Sequence, residues 1–173
     1  MATDTQASLR EVWDWLSHVP DPEIPVISLT DLGIIRDVAW NDDTLVVTVT
    51  PTYTGCPATT AINFDIEKAL RAKGIAKLEL KRQISPAWTT DWISAEGREK
   101  LRAYGIAPPI HGSASDGRTR ARVNRMMGVD FTVPCPRCSS THTTKVSQFG
   151  STPCKASYRC DDCLEPFDYF KCI

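Results

Sequence analysis

A marked excess of positive or negative charge is missing from this chain. Its 173 residues carry 20 Lys and Arg against 21 Asp and Glu, a net charge of -1, so it lacks the polybasic surface of a histone-like partner of nucleic acid. An apolar run long enough to cross a bilayer is also missing, and Met1 to Arg10 shows no basic stretch leading into the apolar core of an export signal. The expectation is a cytoplasmic protein with neither a membrane nor a nucleic acid as its partner. No internal repeat is present. Only three histidines occur, His18, His111 and His142, and none is evidently placed as the base of a thiol nucleophile. Cysteine is scarce before Val133, where Cys56 stands alone, whereas six of the seven cysteines follow it. Without an export signal, that number argues for metal or redox chemistry over a disulfide framework. The asymmetry also divides the chain, because a segment that concentrates its cysteines rarely has a core large enough to fold without them. At 42% hydrophobic and 24% charged residues, the remainder has the composition of an ordinary globular protein.

What is present begins with an amphipathic helix. Leu9, Val12, Trp13 and Leu16 recur at helical spacing behind Ser8 and Glu11, which have the separation of a capping box. Pro20, Pro22 and Pro25 stop it near Val19. In the stiff turn Asp21-Pro22-Glu23-Ile24-Pro25, the carboxylates of Asp21 and Glu23 either hold a cation or orient a thiol, or else Asp21 caps the turn and Glu23 faces water. A strand over 34–40, a turn at Asn41-Asp42-Asp43 and a β-branched strand over 44–50 predict a hairpin, the second strand being covered on both faces. Ala58, Ile62, Ile66, Ala69 and Leu70 predict the next helix, with Pro57 in its first position, Gly74 just past its end and Cys56 as its N-cap. There the helix dipole would favour the thiolate, although a cysteine beside a core strand is also commonly a small buried hydrophobe. Alternation at Leu78, Leu80, Arg82 and Ile84 predicts a third strand, parallel to the second through a right-handed crossover. Sites gather at the carboxyl ends of such strands, where Cys56 falls. Trp88 and Trp92 either cover that thiol or pack under a loop, and packing is favoured. Ser94 caps a last helix with Leu101 and Tyr104 inward and Gly105 ending it.

The fold class expected is a small α/β (α+β) domain over 1–106, its mixed sheet of three or more strands packed by helices. A Pro-, Gly- and Ser-containing linker over 107–132 and a zinc-ribbon-like β domain over 133–173 follow. Arg118, Arg120, Arg122 and Arg125 of the linker read as a solvated face more readily than as a dock for an acidic partner. In the tail, Cys135-Pro136-Arg137-Cys138 and Cys160-Asp161-Asp162-Cys163 are two metal knuckles. The chain between them, 139–159, is slightly longer than usual, but hairpin length is elastic. Two such turns complete a tetrahedron with no open position, the signature of structural zinc. Iron is the alternative for four thiolates, and a redox role is disfavoured because neither knuckle opens a helix after a strand. Strands are expected near 143–149, 155–159 and 167–171, and spacing leaves Cys154 and Cys172 unassigned between inert thiols, extra ligands and a redox pair.

The motifs Asp21-Pro22-Glu23-Ile24-Pro25, Asp31-Leu32-Gly33-Ile34-Ile35 and Gly55-Cys56-Pro57-Ala58 resemble those of the SufT-like family of iron-sulfur assembly proteins. Behind that domain stand Cys135-Pro136-Arg137-Cys138, Phe149-Gly150-Ser151-Thr152-Pro153-Cys154-Lys155, Tyr158-Arg159-Cys160 and Glu165-Pro166-Phe167-Asp168-Tyr169-Phe170-Lys171-Cys172. With them the whole chain resembles the accessory-subunit family that accompanies the phenylacetyl-CoA epoxidase of aerobic phenylacetate catabolism. The resemblance implies assembly or maintenance of a metal centre, either the di-iron site of the oxygenase subunit or the iron-sulfur cluster of the reductase subunit. It implies those subunits and the iron-sulfur assembly machinery as partners, with no catalytic activity of its own. By that likeness Cys56 is the functional thiol, binding iron or an iron-sulfur cluster transiently, and Asp21 and Glu23 are its acidic neighbours. One thiol cannot complete a cluster, so a partner or a second copy in a homodimer would supply the other ligands. A docking subunit without metal transfer is the competing reading. A thiol enzyme is the third, and it lacks an evident base for Cys56.

Overall fold

The computed structural model describes residues 6–53, 55–109 and 132–171. The chain forms two compact units, 1–88 and 89–173.

In the first unit, α1 (Leu9–Ser17) starts at the capping box read from the sequence. The Ser8 side chain accepts from the Glu11 amide while Glu11 Oε2 accepts from the Ser8 amide at 2.9 Å. Val12 and Leu16 are its buried face. The proline-rich turn then folds back on itself, with Asp21 N donating to Ile27 O and Leu29 N to Val19 O, both at 2.9 Å, and Pro20 bridging to Ser28. This compact turn buries Ile24, Ile27, Leu29, Leu32 and Ile34, so it is part of the core. Strand β1 (Ile35–Asn41) pairs antiparallel with β2 (Thr44–Val49) across a two-residue turn in which Asp42 has a φ of 53°. Helix α2 (Thr59–Ala72) crosses over to β3 (Leu78–Arg82), which lies parallel to β2, giving the sheet order β1-β2-β3. Leu45, Val47 and Val49 of β2 and Ile62, Ile66 and Leu70 of α2 are buried. A fully buried side chain of this size contributes about 1.5–3 kcal/mol. Coverage of β2 on its second face is partial, since Val46 is only half-buried. Trp88 is buried with its indole NH donating to Leu32 O at 2.9 Å. It packs, and by doing so pins the chain before β1.

The second unit corrects one expectation about domains. A 3-10 turn (Thr90–Trp92) and α3 (Ala95–Tyr104), capped by Ser94 and ended by Gly105 at φ 96°, belong with the cysteine-rich tail and not with the first domain. The reason is β4 (Ile106–Ala107), which pairs parallel with β7 (Pro166–Phe170) through Ile106 with Asp168 and Ala107 with Tyr169. With β5 (Thr143–Ser147) and β6 (Lys155–Cys160), this makes a four-stranded sheet in the order β4-β7-β6-β5. Leu101 faces inward as expected, but Tyr104 is 56% exposed. Arg98 takes the buried place on α3, donating to Thr90 O at 2.6 Å and to Pro109 O. One hydrophobic cluster here comprises Ala107, Val133, Cys135, Ala156, Tyr158, Cys160, Phe167 and Tyr169. Tyr158 stacks on Phe167 and meets Tyr169 edge-on, with ring centroids 5.8 and 5.7 Å apart. The arginines of the expected linker lie outside the described residues, as does Cys172. Among the described residues no helix is long and apolar enough to cross a membrane.

Candidate metal centre and the Cys56 turn

Both knuckles of the second unit are built the same way. Cys135 N donates to Ser140 O and Cys160 N to Glu165 O, each at 2.9 Å. In each, the residue just after the second cysteine is left-handed, Ser139 at φ 61° and Leu164 at φ 63°. That conformation costs an L-residue about 1–2 kcal/mol and is tolerated because each turn must curl tightly enough to aim two thiols one way. Cys135 and Cys160 are buried, whereas Cys138 and Cys163 are exposed. All four sulfurs lie within 4.8 Å of one another. Cys135 Sγ is 3.8 Å from Cys163 Sγ, and Cys138 Sγ is 3.5 Å from Cys160 Sγ. A zinc tetrahedron with bonds of ~2.3 Å has edges of roughly 3.8 Å, close to these two separations, so the thiols suit such an ion.

The surroundings of the cluster favour ionised sulfur unequally. At Cys160, the backbone NH of Cys163 leads in stabilising the thiolate, and the Asp162 NH and the Cys138 and Cys163 thiols add to it. Together they outweigh desolvation and bring the pKa down to about 7. At Cys138, the Ser140 NH favours the thiolate but is outweighed. The Cys163 thiol, desolvation and the Cys160 and Cys135 thiols push the pKa up to about 12. Four negative sulfurs this close repel one another unless a cation neutralises them.

Around the thiols lies a set of contacts that the cysteine spacing alone did not reveal. Arg137 of one knuckle pairs with Glu165 of the other at 3.5 Å. Asp162 accepts from Ser140 Oγ at 2.5 Å and meets His142 Nδ1 at 3.3 Å. The Ser140 hydrogen bond, the His142 hydrogen bond and the His142 charge, in that order with desolvation opposing, hold the Asp162 carboxyl below its usual range. The one signal for these partners in the sequence is their position inside or just after the knuckles.

Cys56 stands in the connection from β2 to α2, at the carboxyl end of the middle strand as expected, and is half-buried. It is not the N-cap. Ala58 holds that position, with helical dihedrals and no side-chain cap bond, because the chain makes a turn through Pro57 and Ala58 before the helix proper. Cys56 contributes its carbonyl to that turn, accepting from Thr59 N at 3.2 Å and Thr59 Oγ1 at 2.8 Å. Asp21 is buried, and its Oδ1 accepts from Glu23 N at 2.9 Å and Ile24 N at 2.8 Å. This is the turn-capping role that was one of its two readings. Glu23 is half-buried. Among the described residues the four-cysteine group is the only set of three or more potential ligands brought together, so Asp21, Glu23 and Cys56 do not form one. His18 Nδ1 lies 2.7 Å from Asp14 O. His111 lies outside the described residues. One further buried group sits at the end of β2: Thr50 Oγ1, which has no hydrogen-bond partner among the described residues.

Comparison with known proteins matches each unit separately and the chain as a whole. Residues 9–77 fit a family model described as iron-sulfur cluster assembly protein, and residues 119–171 fit the PaaD zinc beta ribbon domain. A protein of Escherichia coli K12 whose name makes it a component of 1,2-phenylacetyl-CoA epoxidase is 47% identical over 173 residues, covering 100% of this chain and 98% of that one. An Fe-S protein maturation auxiliary factor of Porphyromonas gingivalis is 38% identical over 88 residues, covering 50% of this chain and 83% of its own. A crystal structure of a domain of unknown function from Bacillus anthracis is 26% identical, covering 53% of this chain and 89% of that one, with a TM-score of 0.49. A near-full-length relative at 47% identity, together with this chain's own match to the ribbon model and its four converging thiols, establishes that the chain belongs to the PaaD family.

Proposed function

We propose that this chain is an accessory factor that assembles or maintains the metal centre of a phenylacetyl-CoA epoxidase, either a di-iron site or an iron-sulfur cluster, and has no catalytic activity alone. The observation that carries the reading is the pairing, in one chain, of an assembly-type domain bearing a single half-buried thiol with a separate set of four converged thiols. Cys135, Cys138, Cys160 and Cys163 would hold zinc, whose chemistry here is to neutralise four sulfurs and fasten the two knuckles. Such a closed site has no position left for cargo. Cargo then falls to Cys56. Its thiol is partly accessible, and the first-turn NH groups of α2 that follow it lack a side-chain cap, so an anionic thiolate–iron group is not opposed there. Remaining ligands would come from the epoxidase subunits, from the iron-sulfur assembly machinery or from a second copy.

We assign Asp21 a part other than the one the family likeness implied. Its carboxylate is engaged by two backbone NH groups, so in this account it shapes the turn and leaves the iron to sulfur. The same observation favours a second reading, a docking subunit that transfers no metal. Co-expression with the epoxidase subunits separates the two. Under the first, Cys56→Ala leaves the zinc content and melting temperature unchanged and lowers iron in the purified epoxidase. Under the second, iron loading is normal and only deletion of 133–173 disrupts the complex.

A further inference from the structure

The stretch Phe149 to Lys155 plays no part in holding the four thiols, yet it presents a phenylalanine to solvent and holds it in place. Phe149 is 65% exposed. Its amide donates to Ser147 Oγ at 3.2 Å, and the next amide, Gly150, donates to Lys155 O at 2.8 Å. Gly150 lies so close to Asp168 that a Cβ there would stand 2.6 Å from Oδ1. Asp168 also accepts from Ser151 Oγ at 2.8 Å and Ser157 Oγ at 3.4 Å, and pairs with the buried Lys155 at 3.6 Å. An exposed aromatic ring fixed by its own loop loses little freedom when a partner covers it.

One ammonium group stands over that ring, and a second reaches the residue before it. Lys171 Nζ lies 4.5 Å from the Phe149 centroid and donates to Gln148 O at 3.1 Å. Lys145 Nζ donates to Gln148 Oε1 at 3.2 Å. Neither is paired with a carboxylate among the described residues, whereas Lys155 has Asp168. Lys171 titrates below the ordinary lysine value, first through desolvation and also through the Lys145 charge, with Cys154 opposing. The position next to Lys145 is a bulge. Lys145 pairs with Tyr158 and Ser147 with Ser157, so Val146 is the extra residue, and it is 69% exposed. A bulge spoils an edge for adding another strand, so recognition falls to side chains.

We propose that Lys145, Val146, Phe149 and Lys171 form a docking surface for an acidic segment of another protein, its carboxylates meeting the two ammonium groups and an apolar side chain lying on Phe149 and Val146. Charge complementarity selects this occupant. Two cations without a carboxylate partner among the described residues are too few to hold a phosphate backbone, and the exposed ring and valine suit an apolar side chain. The surface stands apart from any role of Cys56.

The test uses the full-length, zinc-loaded chain. The probe is a short fluorescent peptide in which glutamates flank two leucines, and the controls are the same peptide with lysines for glutamates and a single-stranded oligonucleotide. Fluorescence anisotropy at low salt should show binding of the acidic peptide alone, weakened about tenfold by K145E with K171E and about fivefold by F149A. Amide shifts should be confined to 145–149 and 171. Zinc content and melting temperature of each variant establish that it is folded. Absence of acidic-peptide binding, equal binding by the folded double variant, or shifts elsewhere would overturn the proposal. An oligonucleotide bound as tightly through the same lysines would overturn the choice of a protein partner.

Discussion

Ser139→Gly should tighten zinc binding. Ser139 is exposed, its φ is 61°, and its hydroxyl makes no hydrogen bond among the described residues, so the side chain contributes nothing that its removal would forfeit. Relief of the left-handed strain is worth about 1–2 kcal/mol. Against it stands the greater freedom of glycine in the unfolded chain, about 0.5–1 kcal/mol. Taken at their midpoints, the two leave a net gain of about 0.7 kcal/mol. Since folding of such a unit and metal binding are coupled, that gain appears as a zinc dissociation constant lower by about threefold. Competition against a chromophoric chelator measures it directly. Ser139→Ala is the control, because alanine loses the same hydroxyl but keeps the strain, and it should leave zinc affinity at the wild-type level. Equal affinities for the glycine and alanine variants, or weaker binding by the glycine variant, would refute the knuckle geometry described above.

Other perturbations follow from the same contacts. Gly150→Ala should destabilise the second unit by about 1–3 kcal/mol, since its methyl meets an Asp168 carboxylate already held by two serines; thermal melts read this. Ser8→Ala removes the capping box of α1 and should cost the first unit about 1 kcal/mol. Glu11 adds a pH signature to that variant. The Ser8 side-chain bond, then its backbone bond, lower the Glu11 pKa, so this contribution is present above the unfolded value of about 4.3 and is lost as pH falls through the lower folded value. Urea unfolding across that window should show the loss in wild type and a flatter profile in the variant. Treatment with a strong zinc chelator should erase the dispersed amide signals of 132–171 while those of 9–82 persist.

Much of the first unit could be read directly from its residues. The capping box of α1, the Asp42-Asp43 turn and the strand–helix–strand order each rest on local chemistry, and the structure keeps all three. Errors came where a short, weak signal depended on distant partners. Two residues, Ile106 and Ala107, carry no visible strand pattern, yet their pairing with β7 moves α3 into the second unit. Tyr104 fits the helical spacing of an inward residue, but the buried place goes to Arg98, whose guanidinium reaches carbonyls of Thr90 and Pro109. At Cys56 the proline suggested an immediate helix start, whereas the chain spends Pro57 and Ala58 on a turn. Convergence of the four tail thiols was implied by their spacing, because each CxxC turn is a local device. The left-handed residues after them were not, since serine and leucine do not advertise that conformation.

The account rests most heavily on a cargo role for the lone thiol of the first unit. Iron per epoxidase, measured by mass spectrometry after co-expression with wild type or with Cys56→Ala, tests it most directly. The account predicts a marked loss of iron with zinc at wild-type stoichiometry in the variant. Full iron loading of the epoxidase beside a folded Cys56→Ala chain would contradict it.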